Sequence, residues 1–152
     1  MSKEPKQLDD LFHDLLKDIY FAEKKILVAL PKMAKAAESE ELATAFEKHK
    51  VETEKQIERL EEVFGQIEQT PRGKDCPAIL GILEEGKEIM EEYKDSPALD
   101  AGLVGAAQSV EHYEISRYGT VAWARELGLD EATDEALTQL AESAVNQRAQ
   151  AA

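Results

Sequence analysis

Residues 11–37 read LFHDLLKDIYFAEKKILVALPKMAKAA. Leu11, Phe12, Leu15, Leu16, Ile19, Ile26, Leu27, Leu30 and Met33 recur there at three- and four-residue spacing, continuing from Leu8. This pattern predicts one amphipathic helix over about residues 7–36. Pro31 lies inside it, where proline removes a backbone donor and crowds the preceding turn, so a kink is expected there. The informative position is Glu23. Ile19 stands four residues before it, Ile26 and Leu27 three and four after, and Leu30 seven after, so its carboxylate points with the apolar face into the core.

Further along, Ser39 followed by Glu40 and Glu41 is an N-cap with acids at the positive end of a helix dipole. A second helix is expected from there to about Glu68, along Leu42, Phe46, His49, Thr53, Ile57, Leu60 and Phe64. Thr70-Pro71-Arg72-Gly73 closes it with a turn. A shorter helix is expected from Pro77 to about Tyr93, and Ser96-Pro97 reads as an N-cap with proline at the first helical position. The long helix after it uses Leu103, Val104, Ala107, Val110, Ile115, Tyr118 and Val121 and stops at Gly128. A last helix, from about Asp130 to Arg148, carries Ala136, Leu137, Leu140, Ala144 and Val145 on one face. Between the second and third long helices lie about 28 residues, enough to cross a bundle from end to end, whereas two to eight would not be.

Composition agrees with an all-α fold. Glycine and proline number only 8 and 5, aromatic residues make up 6%, and no β-branched alternation suggests a sheet. The 152 residues suit a single domain spanning 1–152, and 43% hydrophobic residues are enough for a core. No apolar run reaches about 18 residues, Met1-Ser2-Lys3-Glu4-Pro5 lacks the apolar core expected of a signal peptide, and the single cysteine, Cys76, cannot form an internal disulfide. A cytoplasmic protein is expected. The 32 acidic against 18 basic residues give a net charge of −14, which disfavours nucleic-acid phosphates and anionic membranes as partners and suits cations.

Some of those acids interrupt apolar stripes. Besides Glu23, Glu111 and Glu114 stand three apart between Ala107, Tyr118 and Val121, and Glu52 shares a face with His49 and Gln56 beside Thr53 and Ile57. Buried carboxylates that face one another need compensation by protons, by Lys or Arg, or by metal ions. The stripes hold no obvious basic partner, and two divalent cations cancel four carboxylates. Carboxylate oxygens with one imidazole suit a dinuclear iron or manganese site in a bundle core. Each residue also has a plainer reading: Glu52 as a solvated acid, His49 as a packed histidine, Cys76 as an inert cap residue, and Tyr20 as a packing aromatic.

Four stretches, residues 11–37, AFEKHKVETEKQIERLEEVF, PRGKDCPAILGILEEG and AAQSVEHYEISRYGTVAWARELG, resemble the YciE/YciF group of bacterial stress-associated ferritin-like proteins. The resemblance covers nearly the whole chain from about Leu8, and its AEK, HxxET and EHYEI patterns are specific in combination. It implies a ferritin-like four-helix bundle with a long crossover carrying a short extra helix, a homodimer, and a dinuclear iron centre of ferroxidase type with oxygen or peroxide as oxidant. By motif, it assigns Glu23, Glu52, Glu111 and Glu114 as metal ligands, with His49 nearby.

The chain departs from that group after ARELGLDEA, where about 13 residues bearing an LDEEK-like acidic segment are missing, about 20 Å of helix at 1.5 Å per residue. If the last helix turns back directly after Gly128, Glu142 stands opposite Glu111 and Glu114 and substitutes as ligand; otherwise Asp130 or Asp134 keeps the role by a slide or from another subunit. The loss implies an impaired or open site. The alternative expectation is a non-enzymatic helical stress protein or dimer scaffold without a functional metal site.

Overall fold

The computed structural model describes residues 5–121, and the regular structure in that span is all helical. Four helices follow in order: α1 (Leu8–Ala36), α2 (Glu40–Gln66), α3 (Pro77–Glu92) and α4 (Leu99–Val121). This is the ferritin-like order expected from the sequence, two long helices, a crossover bearing a short helix, and a third long helix. The expected last helix, the stop at Gly128, Glu142, Asp130 and Asp134 lie outside the described residues. No helix among the described residues is long and apolar enough to cross a membrane.

α1 runs through Pro31 as one helix and buries Phe12, Leu16, Ile19, Ile26, Leu30 and Met33, while Leu8 and Leu11 at its start are exposed. Complete burial of each such apolar side chain is worth about 1.5–3 kcal/mol relative to exposure. Three residues, 37–39, reverse the chain, so α2 returns antiparallel along α1. Ser39 caps α2 by accepting from the Leu42 N–H at 3.4 Å, and Asp100 of α4 accepts from the Glu38 and Ser39 N–H groups at 2.8 Å each. One carboxylate thus fixes the α1–α2 corner to the start of α4. At the other end of the α1–α2 pair, Tyr20 donates to Glu61 at 2.7 Å and stacks edge-on against Phe64 at 5.5 Å.

After α2 the chain turns with Glu68 at φ 55, its N–H bonded to the Gly65 carbonyl and the Gln69 N–H to the Phe64 carbonyl. The connection then docks on α1, where the Lys74 N–H donates to the Lys17 carbonyl at 3.1 Å and Gly73 lies against Phe21. Asp14 draws Lys6, Lys17 and Lys74 to within 2.7, 3.0 and 3.1 Å, and these bonds hold its carboxyl well below the usual carboxylate range. α3 carries the chain back along the bundle, antiparallel to α4. At its N-terminal end the buried Cys76 Sγ sits 3.3 Å from the Tyr113 hydroxyl, which donates to Asp18 at 2.7 Å. Arg117 donates to the same Asp18 oxygen at 2.8 Å and lies over the Tyr113 ring. Burial, followed by the bond to Asp18, pushes the Tyr113 hydroxyl far above the ordinary phenol range. Cys76 is therefore a packed N-cap residue of α3, as its position before Pro77 suggested.

Two sequence expectations shift. α4 begins at Leu99 instead of Pro97: Ser96 accepts from the Ala98 N–H through its side chain and from the Leu99 N–H through its carbonyl, which makes a tight turn before the helix. Val104, expected in the core, is 42% exposed, because Leu103 and Ala106 take the inward phase.

The α3–α4 contact depends on a missing side chain. A Cβ on Gly102 would stand 2.7 Å from Ile89 Cγ2, whereas a Cβ on Gly105, one turn on, meets nothing within 4 Å. Gly102→Ala is expected to lower stability by about 1–2 kcal/mol through overpacking, although alanine is the better helix former. Gly105→Ala is expected to raise it by up to about 1 kcal/mol. Urea unfolding of both variants checks this; equal stabilisation by both would remove the close approach.

Candidate metal centre

Helical phase decides which polar side chains enter the core. At about 100° per residue, Glu23 falls within the buried arc of α1 between Ile19 and Ile26 and is fully buried. On α4 the buried series Leu103, Ala106, Val110, Glu114, Tyr118 and Val121 carries Glu114 inward at 2% exposure. On α2, His49, Thr53, Gln56 and Leu60 repeat at three- and four-residue steps and are all buried. Three helices therefore bring a carboxylate, a second carboxylate, and a series of imidazole, hydroxyl and amide to the same interior.

Glu23 and Glu114 meet because α1 and α4 are antiparallel, a pairing also marked by Asp18 with Arg117 and by Glu38 with Asp100. Tyr118, fully buried, donates from its hydroxyl to Glu23 Oε1 at 2.6 Å. His49 Nε2 lies 3.5 Å from Glu114 Oε2, near enough for charge attraction but outside hydrogen-bond alignment. Burial, and after it the negative charge of Glu114, pushes the Glu23 carboxyl well above its ordinary value. Burial and the Glu23 charge likewise raise the Tyr118 hydroxyl. Burial pulls the His49 imidazole down, but Glu114, Glu111 and Glu52 outweigh it and leave the ring above its ordinary value.

Six buried side-chain atoms here make no hydrogen bond: Glu23 Oε2, His49 Nε2, Thr53 Oγ1, Glu114 Oε1, and both Gln56 Oε1 and Nε2. An unsatisfied buried polar group costs about 1–3 kcal/mol, more if charged. Five such side chains together form a donor set of oxygens and one imidazole nitrogen, which fits a divalent transition metal. Among the described residues, no group of three or more His, Cys, Asp or Glu side chains is placed so as to hold a metal ion.

Of the residues expected from sequence, Glu23, Glu114 and His49 come together in the core. Glu52 and Glu111 are half-buried at its rim, each about 90° from the centre of its helix's buried arc at 100° per residue. Both border a groove of about 510 Å³ between α2 and α4, together with Glu41, His49, Gln108 and Val104. Glu52 lies 3.9 Å from Lys48. Thr53, one step on from Glu52 and in line with His49, points inward as the stripe through His49, Thr53 and Ile57 implied, and Glu52 stands beside that stripe. Tyr20 is committed to Glu61 and Phe64, His13 packs edge-on against Phe64, and His112 is exposed. Sequence reasoning missed Thr53, Gln56 and Tyr118 as site residues. The signal was there: Thr53 and Gln56 are four and seven residues from His49, and Tyr118 is four from Glu114.

A family described as a domain of unknown function, DUF892, matches residues 7–150. Protein YciF of Escherichia coli K12 is 39% identical over 160 residues, spanning 95% of this chain and 96% of that protein. The solved structure of YcfI from Rhodopseudomonas palustris superposes with a TM-score of 0.91 at 42% identity, over 99% of this chain and 96% of that one. The crystal structure of the E. coli stress protein YciF gives 0.87 at 38% identity, over 94% and 91%.

Glu23 faces Glu114 at a cost to the fold, so a neutral isostere is expected to relieve it. Glu23→Gln keeps an acceptor for Tyr118 and should raise the stability of the metal-free protein by about 1–2 kcal/mol. Thermal unfolding in chelator reads this directly, and a loss of stability would show that the carboxylate is already satisfied.

Proposed function

This chain belongs to the DUF892 family and is a relative of the E. coli stress protein YciF, and from that footing we propose that its bundle core binds iron. The reading extends to two ions per chain, with manganese as the substitute metal, and to oxidation of Fe(II) in a cytoplasmic stress response. The observation that carries it is the cluster of unsatisfied buried donors around Glu23 and Glu114. Glu23, Glu114 and His49 would hold metal in the core, and Glu52 and Glu111 at the rim. Bound iron would supply one-electron chemistry, with oxygen or peroxide as acceptor.

The chain's own residues have separable tasks in this reading. Tyr118 holds Glu23 by one carboxylate oxygen and leaves the other unengaged. The buried Ile19, Ile26, Leu60 and Val110 keep bulk water from the carboxylates, which strengthens every charge interaction among them. His49 lines the groove and approaches Glu114, so it joins the rim to the interior. The acids Glu41, Glu52 and Glu111 give that groove the sign that concentrates cations.

A second reading, a non-enzymatic helical stress protein or dimer scaffold, is favoured by the lack of a closed three-ligand group among the described residues. It also fits the provisional description of the R. palustris relative as a structural protein. Anaerobic titration of the chelator-treated protein separates the two. Metal binding predicts saturable uptake of Fe(II) and Mn(II), loss of that uptake in Glu114→Ala, and Fe(II) oxidation in air faster than in buffer alone. The scaffold reading predicts no uptake.

A further inference from the structure

The outer face of α1 carries a row of lysines with no acid to answer it. From Lys24 to Ala37 the chain holds Lys24, Lys25, Lys32 and Lys35 and no aspartate or glutamate. At about 100° per residue, these four and Val28 fall within an arc of about 100°, opposite the buried side of Ile19, Ile26, Leu30 and Met33. Lys24 donates to the Tyr20 hydroxyl at 3.1 Å, and Lys25 lies over the Phe21 ring at 5.2 Å. Among the described residues, none of the four has a carboxylate within ion-pair distance. Lys6, Lys17 and Lys74, in contrast, share Asp14, and Lys48, Lys50 and Lys87 each meet a glutamate. In a chain with 32 acids against 18 basic residues, such an acid-free row is a distinct surface.

The row borders apolar surface. Val28 is 60% exposed within it, and Val51 of α2 is 48% exposed. One turn on from Val28, Pro31 and Val51 wall a groove of about 410 Å³ between α1 and α2, with the buried Leu30 and Phe46 at its base. Lys35, Lys50 and Glu47 edge this groove, and Lys50 lies 3.6 Å from Glu54. An apolar slot beside unopposed cations matches a ligand that carries apolar and acidic side chains on one face. Size narrows the class. Nucleic acid and a lipid bilayer spread charge far beyond the screening length of about 8 Å at physiological salt, so either would also meet the surrounding acids of a chain at −14. A helix is about 10–12 Å across and covers the row and the slot alone.

We propose that Lys24, Val28, Lys32 and Lys35, with the slot at Pro31 and Val51, dock an acidic amphipathic helix of another protein. Its apolar side chains fill the slot against Leu30 and Phe46, and its acids lie over Lys24, Lys32 and Lys35. Lys24 to Lys35 span about 16 Å at 1.5 Å per residue, which three turns of a partner helix match. The surface faces away from the bundle core, so it works independently of any metal there.

The test is an NMR titration of the isotope-labelled full chain with a synthetic four-turn peptide that has leucine along one helical face and glutamate flanking it. A peptide of the same composition in scrambled order is the control. The natural chain is expected to show saturable shifts confined to residues 24–35 and 46–51. Lys32→Glu/Lys35→Glu and Val51→Asp should each bind at least about tenfold more weakly, because both set like charges against the peptide acids. Lys87→Glu on α3 should bind as the natural chain does, and thermal unfolding of all three variants should stay close to that of the natural chain. Shifts scattered over the surface, equal binding of the scrambled peptide, or undiminished binding by Lys32→Glu/Lys35→Glu overturns the proposal. So do concentration-dependent shifts of the same residues in the chain alone, which make a second copy the occupant. Tighter binding to phosphatidylglycerol vesicles through the same lysines overturns it in favour of a lipid surface.

Discussion

Two carboxylates facing each other away from bulk solvent are the constraint on which this bundle depends. Glu23 and Glu114 are buried as completely as the isoleucines around them, and the Tyr118 hydroxyl donates to Glu23 at 2.6 Å. Like charges at that depth cannot both persist unaided, and burial with the Glu114 charge drives Glu23 toward its neutral form. His49 offers Glu114 partial relief at 3.5 Å. The remaining deficit, the unused carboxylate oxygens, is what a cation between the helices would remove.

The surrounding frame is fixed at points remote from that pair. Asp100 ties the α1–α2 corner to α4, and Asp18 collects Tyr113 and Arg117 near the opposite end, so α1 and α4 are registered twice along their length. Cys76 and the Lys74 amide set where α3 starts, and the bare Cα of Gly102 lets α3 close on α4. These anchors use paired or capped polar groups, each satisfied where it stands. The central cluster is different: its polar groups are held in place by apolar neighbours and are not satisfied by them. Stability is given up at the centre and recovered at the ends, the pattern expected where a site must receive something.

Much of this was legible in the sequence, for physical reasons that can be named. The 3.6-residue period exposed Glu23 as an acid on an apolar face, and the three-residue step between Glu111 and Glu114 flagged the third long helix. Spacing alone did not say which of two neighbours faces inward. Glu52 and Glu111 sit about 90° from the buried centre at 100° per residue, and three- and four-residue spacing does not separate such an edge position from the middle of a stripe. Thr53 and Gln56 share the α2 stripe with His49, but neutral polar residues do not advertise a charge problem. α4 starts two residues later than its Ser-Pro signal implies, because Ser96 caps a turn before the helix. The last helix and Glu142 lie beyond the described residues, where sequence remains the guide.

The central claim is that a cation belongs between Glu23 and Glu114. Anomalous scattering from crystals equilibrated with Mn(II) locates the metal without reference to activity. The account predicts a strong peak in the bundle core within coordination distance of both carboxylates and of His49, with a second one near Glu52 and Glu111. A core without a peak, and Mn(II) only on exposed acids of the outer helix faces, would contradict it.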